Sequence, residues 1–272
     1  MPAQPSEVAP EPSQHIELAR EKPLIPGVLV RRYKRFLADV RLDTGAVVTA
    51  HCVNTGAMEG LTEPGNRVWL SEADNPRRRT RYMWELVEAQ GRIYGANTAE
   101  PNRLVGRLLR GGHLPFLESW REIRAEVAFA DRRRVDFLLR GTARSAKRER
   151  LLEVKNCHLL YPDGRAYFPD SHSERASHHL EALAAERSRT RDAAVLFVCQ
   201  MAPVRAVRPS DVHDPVFAET ARRVRKQGVR FFAVSIEHEV ESVRLVGRIP
   251  VDLRPYGVRK VQRWRSASRT RS

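Results

Sequence analysis

The chain has no long apolar run. Its longest, AAVLFVC at 193–199, falls far short of the roughly 20 residues that a membrane-spanning helix requires, which excludes a bilayer-crossing helix. Cysteine is scarce as well. Cys52, Cys157 and Cys199 are odd in number, widely spaced and without a C-x-x-C, which excludes a disulfide scaffold and fits buried thiols in a reducing compartment. No basic segment followed by an apolar stretch stands at the N-terminus, so no secretory signal is expected and the location is cytoplasmic by default. Acid is the third shortage: 33 Asp and Glu face 48 Lys and Arg, a formal charge of +15. That imbalance points to a polyanion. A surface that neutralises several phosphates gains affinity by releasing condensed counterions, so nucleic acid is the expected partner, ahead of an anionic membrane surface.

What is present suffices for ordinary folding. Hydrophobic residues make up 42% and charged ones 30% of 272 residues, near the size at which one core gives way to two. Residues 1–23 contain five prolines and little apolar content, and read as a disordered tail. Residues 254–272 hold seven basic residues and no acid, and read as a mobile basic tail. Between them, 24–95 are dense in β-branched and aromatic residues with turn signals: GVLVRRYKRFLADVRL, the turn DTG, then AVVTAHCV, NRVWLSEA and YMWELVEAQ. About five short strands of this kind fit a small closed β-barrel, of which the oligonucleotide-binding (OB) type is one candidate. From 96 to 253 the order becomes that of an α/β domain. A helix opens near Pro101; strands follow in IRAEVAF, RVDFLL and LLEVKN, then a helix across 174–187, the strand AAVLFVCQ, a helix near 217–226 and the strand VRFFAVSI.

The segment LLEVKN carries the chemistry. Alternate residues of a strand share a face, so Glu153 and Lys155 stand together while Leu152 and Val154 bury on the other side. In RRVDFLL, Val135, Phe137 and Leu139 take one face and leave Asp136 with Leu138 on the other. If RGTARSAKRER turns the chain, the two strands pair antiparallel and Asp136 and Glu153 become neighbours. Two such carboxylates suit Mg²⁺, a hard cation held by one or two carboxylates together with water and phosphate oxygens. Lys155 beside it would orient the attacking water or stabilise charge on a scissile phosphate, and Glu126 in IRAEVAF is a third carboxylate for the catalytic set. A solvated Glu153–Lys155 ion pair is the plain alternative.

Two basic runs are candidates for phosphate contact. Arg31, Arg32, Lys34 and Arg35 alternate with aromatic residues in RRYKRF, which reads as a strand; Tyr33 has a place in the barrel core as its equal alternative. Arg77, Arg78, Arg79 and Arg81 fall in the loop NPRRRTR beside Tyr82 and Trp84. His178 and His179 are adjacent on a helix, face different directions and read as surface or packing residues.

Asp136 followed by Glu153-x-Lys155 resembles the core of the PD-(D/E)xK nuclease superfamily, a loose motif. More specifically, RRYKRFLADV, AHCVNTGAM, SEADNPRRRTRYMWEL, NTAEPNRLV, RVDFLL, EVKN and FPDSHSERASHHL together resemble the sugar fermentation stimulation protein A (SfsA) family, over roughly residues 24–251. That resemblance implies an N-terminal OB-like β-barrel, a nuclease-like C-terminal α/β domain, DNA binding and a regulatory link to sugar (maltose) metabolism. The chain departs from the family at Val53, where Pro is usual, and at Ser177 and His178, where Gln-Lys is usual. The expectation is a cytoplasmic DNA-binding protein of low sequence specificity, in which the barrel and the basic ends grip phosphates. An active Mg²⁺-dependent DNA nuclease is the first alternative, and an RNA-binding accessory factor the second.

Overall fold

The computed structural model describes residues 16–75, 77–130, 133–142 and 144–269. Of the expected N-terminal tail, residues 1–15 lie outside this range, and the rest departs from the expectation. Ile16–Ala19 (β1) pairs antiparallel with Ser242–Ile249 (β16), and the Arg20 N–H bonds the Glu241 carbonyl at 2.9 Å. Ile16 and Leu18 alternate toward apolar packing while Glu17 faces water, a period-two signal that proline content alone does not weigh.

The barrel is built from Ile25–Tyr33 (β2), Leu37–Leu42 (β3), Val47–His51 (β4), Arg67–Glu72 (β5) and Tyr82–Ala89 (β6). The strand order is β4-β3-β2-β5-β6, closed by a short parallel pairing of β4 with β6 at Ala50↔Tyr82 and His51↔Met83. Arg92–Gly95 (β7) extends the sheet beyond β6. Leu29, Val40, Leu70 and Trp84 fill the interior, and the Trp84 indole satisfies its N–H on the Leu86 carbonyl at 2.9 Å. RRYKRF is not one strand: β2 ends at Tyr33, and Lys34 and Arg35 reverse the chain with left-handed φ values of 49° and 64°. Neither is a Gly or Asn, so the turn carries no residue-type signal.

The second domain centres on a mixed sheet ordered β1-β16-β15-β13-β10-β9-β8. Besides β1 and β16 it contains Glu122–Phe129 (β8) at the other edge, Arg133–Arg140 (β9), Glu149–Cys157 (β10), Arg191–Cys199 (β13) and Arg230–His238 (β15), with β10, β13 and β15 mutually parallel. Both faces are covered. Helix α1 (Glu100–Arg110) lays Leu104, Val105 and Leu108 against Leu152, Val154 and Leu196. Helices α2 (Glu174–Ala185) and α3 (Pro215–Lys226) bring Leu180, Leu183, Phe217 and Val224 onto Leu151, Val195 and Phe197 on the other face. Coverage on both sides is why AAVLFVC is apolar without alternation. Leu159–Leu160 (β11), Arg165–Phe168 (β12) and Ala206–Pro209 (β14) form a separate small sheet.

The expected mobile basic tail is largely a helix, α4 (Val258–Arg269). Val261 is 2% exposed, the Trp264 ring stacks on Tyr161 at 5.8 Å, and Arg265 Nε bonds Glu59 Oε1 of the barrel at 3.2 Å. Val258, Val261, Trp264 and Arg265 recur at helical spacing, a periodicity masked by the charge of their neighbours. A second tie between the domains runs through Asp170, which accepts from the Met58 N–H at 3.1 Å and lies 3.2 Å from His158 Nε2. No helix among the described residues is long and apolar enough to cross a membrane.

Candidate active site

β9 and β10 pair antiparallel, as the turn in RGTARSAKRER leads one to expect. The ladder runs from Glu149↔Arg140 to Leu152↔Phe137 and stops. Beyond it Asp136 Oδ2 accepts the Val154 N–H at 2.7 Å, so a side chain satisfies the backbone group that the neighbouring strand leaves open. Asn102 of α1 donates Nδ2 to Asp136 Oδ1 at 2.6 Å, fixing both oxygens. The alternation expected along β9 breaks here: Val135 packs with Leu138 in one core, and Phe137 and Leu139 in the other. On the far side, the pairs Ala125↔Phe137 and Val127↔Val135 bracket Glu126, whose left-handed φ of 55° marks the same irregularity. The Glu126 carboxylate is 57% exposed and pairs with Arg134 Nε at 3.6 Å, at the rim of the cleft.

Glu153 and Lys155 share a face as expected, and it is the face covered by α2. Lys155 Nζ donates to Glu153 Oε1 at 2.7 Å, with the two side chains 14% and 7% exposed, so the pair is not the solvated one of the plain reading. The other oxygen, Oε2, lies 3.1 Å from His179 Nε2 but out of line for a hydrogen bond, and both atoms are buried without a hydrogen-bond partner. His179 packs its ring on Phe129 at 5.4 Å. Asp136, Glu126, Glu153, Lys155 and His179 thus line one open cleft of about 850 Å³.

The electrostatics separate the two carboxylates. Burial, then the charge of Glu153, pushes Asp136 up to about 6. Burial pushes Glu153 the same way, but the Lys155 ammonium and then His179 outweigh it and hold that carboxyl at about 2. One carboxylate is therefore firmly ionised while its neighbour is poised to accept a cation or a proton. Ser173 caps α2 and its first turn faces the cleft, which directs the positive end of the helix into it. Arg133 and Arg175 add full charges to the same walls.

The donor set suits a hard cation. Asp136 and Glu153 offer carboxylate oxygens from adjacent strands, and Glu153 Oε2 is buried without a hydrogen-bond donor. Among the described residues no group of three His, Cys, Asp or Glu is placed to hold a metal ion.

The basic residues of the barrel are scattered by comparison. Arg31 Nε bonds Asp39 at 2.8 Å with its guanidinium 4.9 Å over the Tyr33 ring, and Tyr33 is half-buried and donates to Asp39. Arg32 is engaged by backbone carbonyls of Arg35, Asn54 and Gly56 at 2.7, 2.8 and 3.0 Å. Lys34, Arg35, Arg77, Arg78 and Arg79 are exposed, whereas Arg81 pairs with Glu72 at 3.0 Å. Trp84, expected beside the loop arginines, is buried in the barrel.

Sequence reasoning missed Asn102 and the approach of His179, a packing residue against Phe129, to Glu153. A signal for the second existed: Ala176, His179, Leu180 and Leu183 recur at helical spacing, which puts His179 on the buried side of α2. Of the two family departures on α2, Ser177 is buried with its hydroxyl unpartnered and His178 lines the cleft.

Family models match both halves of the chain. One described as the SfsA N-terminal OB domain matches residues 30–95, and one described as the sugar fermentation stimulation protein RE domain matches 99–242. The sugar fermentation stimulation protein homolog of Alkalilimnicola ehrlichii is 44% identical over 233 residues, which cover 85% of this chain and 98% of that one. The chain belongs to the sugar fermentation stimulation protein family. The homolog from Geobacter sulfurreducens is also 44% identical, over 85% of this chain and 97% of its own length. A solved structure, Pyrococcus furiosus SfsA in complex with Ca²⁺, superposes with a TM-score of 0.77 at 24% identity, covering 86% of this chain and 98% of the other. The fold is accordingly an α/β one: an OB barrel of five strands followed by a restriction-endonuclease-like (RE) domain.

Proposed function

We propose that this SfsA-family protein binds DNA with little sequence preference and hydrolyses its phosphodiester bonds with the help of a divalent cation. The observation that carries this reading is the convergence of Asp136, Glu153 and Lys155 in one cleft, with Glu153 Oε2 buried and without a hydrogen-bond donor. Asp136 and Glu153 would hold the cation, with Mg²⁺ its chemical type, and the Ca²⁺ complex of the Pyrococcus furiosus relative supports a hard ion. When bound, the ion would draw charge from the phosphate oxygens. The chain's own groups do the rest. Asn102 and the Val154 N–H keep Asp136 in one rotamer, and Lys155 Nζ orients water and stabilises the charge that grows on phosphorus-bound oxygen. The α2 N-terminus, Arg133 and Arg175 address non-bridging oxygens, contacts that carry no base information and so favour low specificity.

A second reading, a binder that does not cut, is favoured by Glu126, which faces Arg134 rather than the other two carboxylates. The family's name alone supports a link to sugar fermentation. The experiment incubates purified protein with labelled single- and double-stranded DNA and with RNA, with Mg²⁺, Mn²⁺ or EDTA, beside Lys155→Ala. Metal-dependent DNA cleavage that is lost in the variant while binding persists is the expected result. Intact DNA bound in a salt-sensitive way, with or without metal, would replace it with the binder, and preferential capture of RNA would change the substrate class.

A further inference from the structure

Helix α4 begins beyond both segments that match the family models, the later of which ends at residue 242. Its inner face is taken up by the rest of the molecule. Val261 is buried with Leu159 and Tyr167, Trp264 stacks on Tyr161, and Arg265 bonds both Glu59 Oε1 and the Val212 carbonyl at 3.2 Å. The helix is therefore anchored to the barrel and to the RE domain together. Its outer face differs. Arg259 and Arg263, one turn apart, are exposed and make no hydrogen bond or ion pair among the described residues, and Lys260 rests its Nζ 5.0 Å over the Trp264 ring. No acid follows Asp252 in the chain, so the helix supplies nothing to neutralise this row.

We infer that α4 is an accessory phosphate-contacting surface, through which Arg259 and Arg263 grip the backbone of duplex DNA at the junction of the two domains. The inference rests on the DNA-binding half of the function proposed above and adds a contact to it. A helix that binds membranes keeps an apolar face for the acyl boundary, and α4 has already buried its own against Tyr161 and Val212. What it offers outward is charge. A docked helix also fixes where that charge stands, since side chains one turn apart are neighbours on its surface, so both guanidiniums address the same stretch of backbone. Such contacts raise affinity for any sequence and weaken with salt as condensed counterions compete.

The test uses the full chain and the double variant Arg259→Gln/Arg263→Gln, which alters only exposed side chains. Fluorescence anisotropy of a short blunt-ended DNA duplex in EDTA is measured across a salt series, with phosphatidylserine vesicles as a parallel probe. The expected result is a shallower dependence of log affinity on log salt, by about 0.9 for each phosphate that the variant no longer neutralises, with an unchanged melting temperature. A variant with the wild-type slope and affinity overturns the inference while leaving the proposed function standing, as does a loss of vesicle binding with duplex binding intact. A wild-type protein that binds no DNA at any salt removes the proposed function first, and α4's role with it.

Discussion

At the tip of the β2–β3 hairpin, charge is exposed; in the cleft between β9, β10 and α2 it is enclosed. Two of the hairpin arginines find local partners, Asp39 for Arg31 and three carbonyls for Arg32. In the cleft burial, then the charge of Glu153, raises Asp136 to about 6, while Lys155 and His179 overcome the burial of Glu153 and hold it at about 2. The difference is solvent. Water screens an exposed pair until it is worth little, whereas burial makes each charge depend on its neighbours and turns a cluster into a device.

The largest expected effect exploits that dependence. Lys155→Ala should lower metal-dependent cleavage by about 10²- to 10³-fold, the loss associated with one preorganised charge-stabilising group, while Arg35→Ala leaves cleavage close to wild type. Single-turnover cleavage of a labelled duplex measures both. Equal losses in the two variants would erase the distinction between hairpin and cleft.

Next in size is an opposition within the cleft itself, visible in metal-free protein. Asp136 is raised in the folded state, so stability is lost as pH rises from about 4 through about 6, and Asp136→Asn should raise the melting temperature at pH 7. Glu153 is lowered, so its contribution is present above the unfolded value and is lost as pH falls toward about 2; Glu153→Gln should destabilise at pH 7 by leaving Lys155 buried without its partner. Each change amounts to about 3 kcal/mol at roughly 1.4 kcal/mol per pKa unit. Thermal melts in EDTA between pH 4 and 8 check the signs, and two variants that shift the same way would show the carboxylates to be uncoupled.

The same contrast explains what could be read from the sequence. Period-two patterning and turn residues announce the barrel, and an apolar run announces β13, because those signals are local. Glu153 and Lys155 are legible for the same reason, two residues apart on one strand. Asn102 and His179 are not, since they reach the cleft from helices about 34 and 26 residues away in sequence from the groups they meet, and only the packing of α1 and α2 brings them there. β1 and α4 were hidden differently: prolines on one side and arginines on the other outweigh short apolar patterns that the sheet and Tyr161 complete.

The smallest effects divide the hairpin arginines among themselves. Arg32 bonds the carbonyls of Asn54 and Gly56, in the loop whose Met58 N–H bonds Asp170 of the RE domain. Removing it leaves two part-buried carbonyls without that donor, so Arg32→Ala should destabilise by about 1–2 kcal/mol and leave the salt slope of DNA binding unchanged. Lys34 and Arg35 touch little, and replacing both by Ala should alter stability by less than about 0.5 kcal/mol while reducing the slope by about 0.9 per phosphate. Urea melts and the anisotropy salt series read the two quantities separately. If Arg32→Ala flattens the slope instead, its guanidinium exchanges carbonyls for phosphate on binding, and the hairpin then shares with the cleft a dependence of function on partners that the free protein holds in reserve.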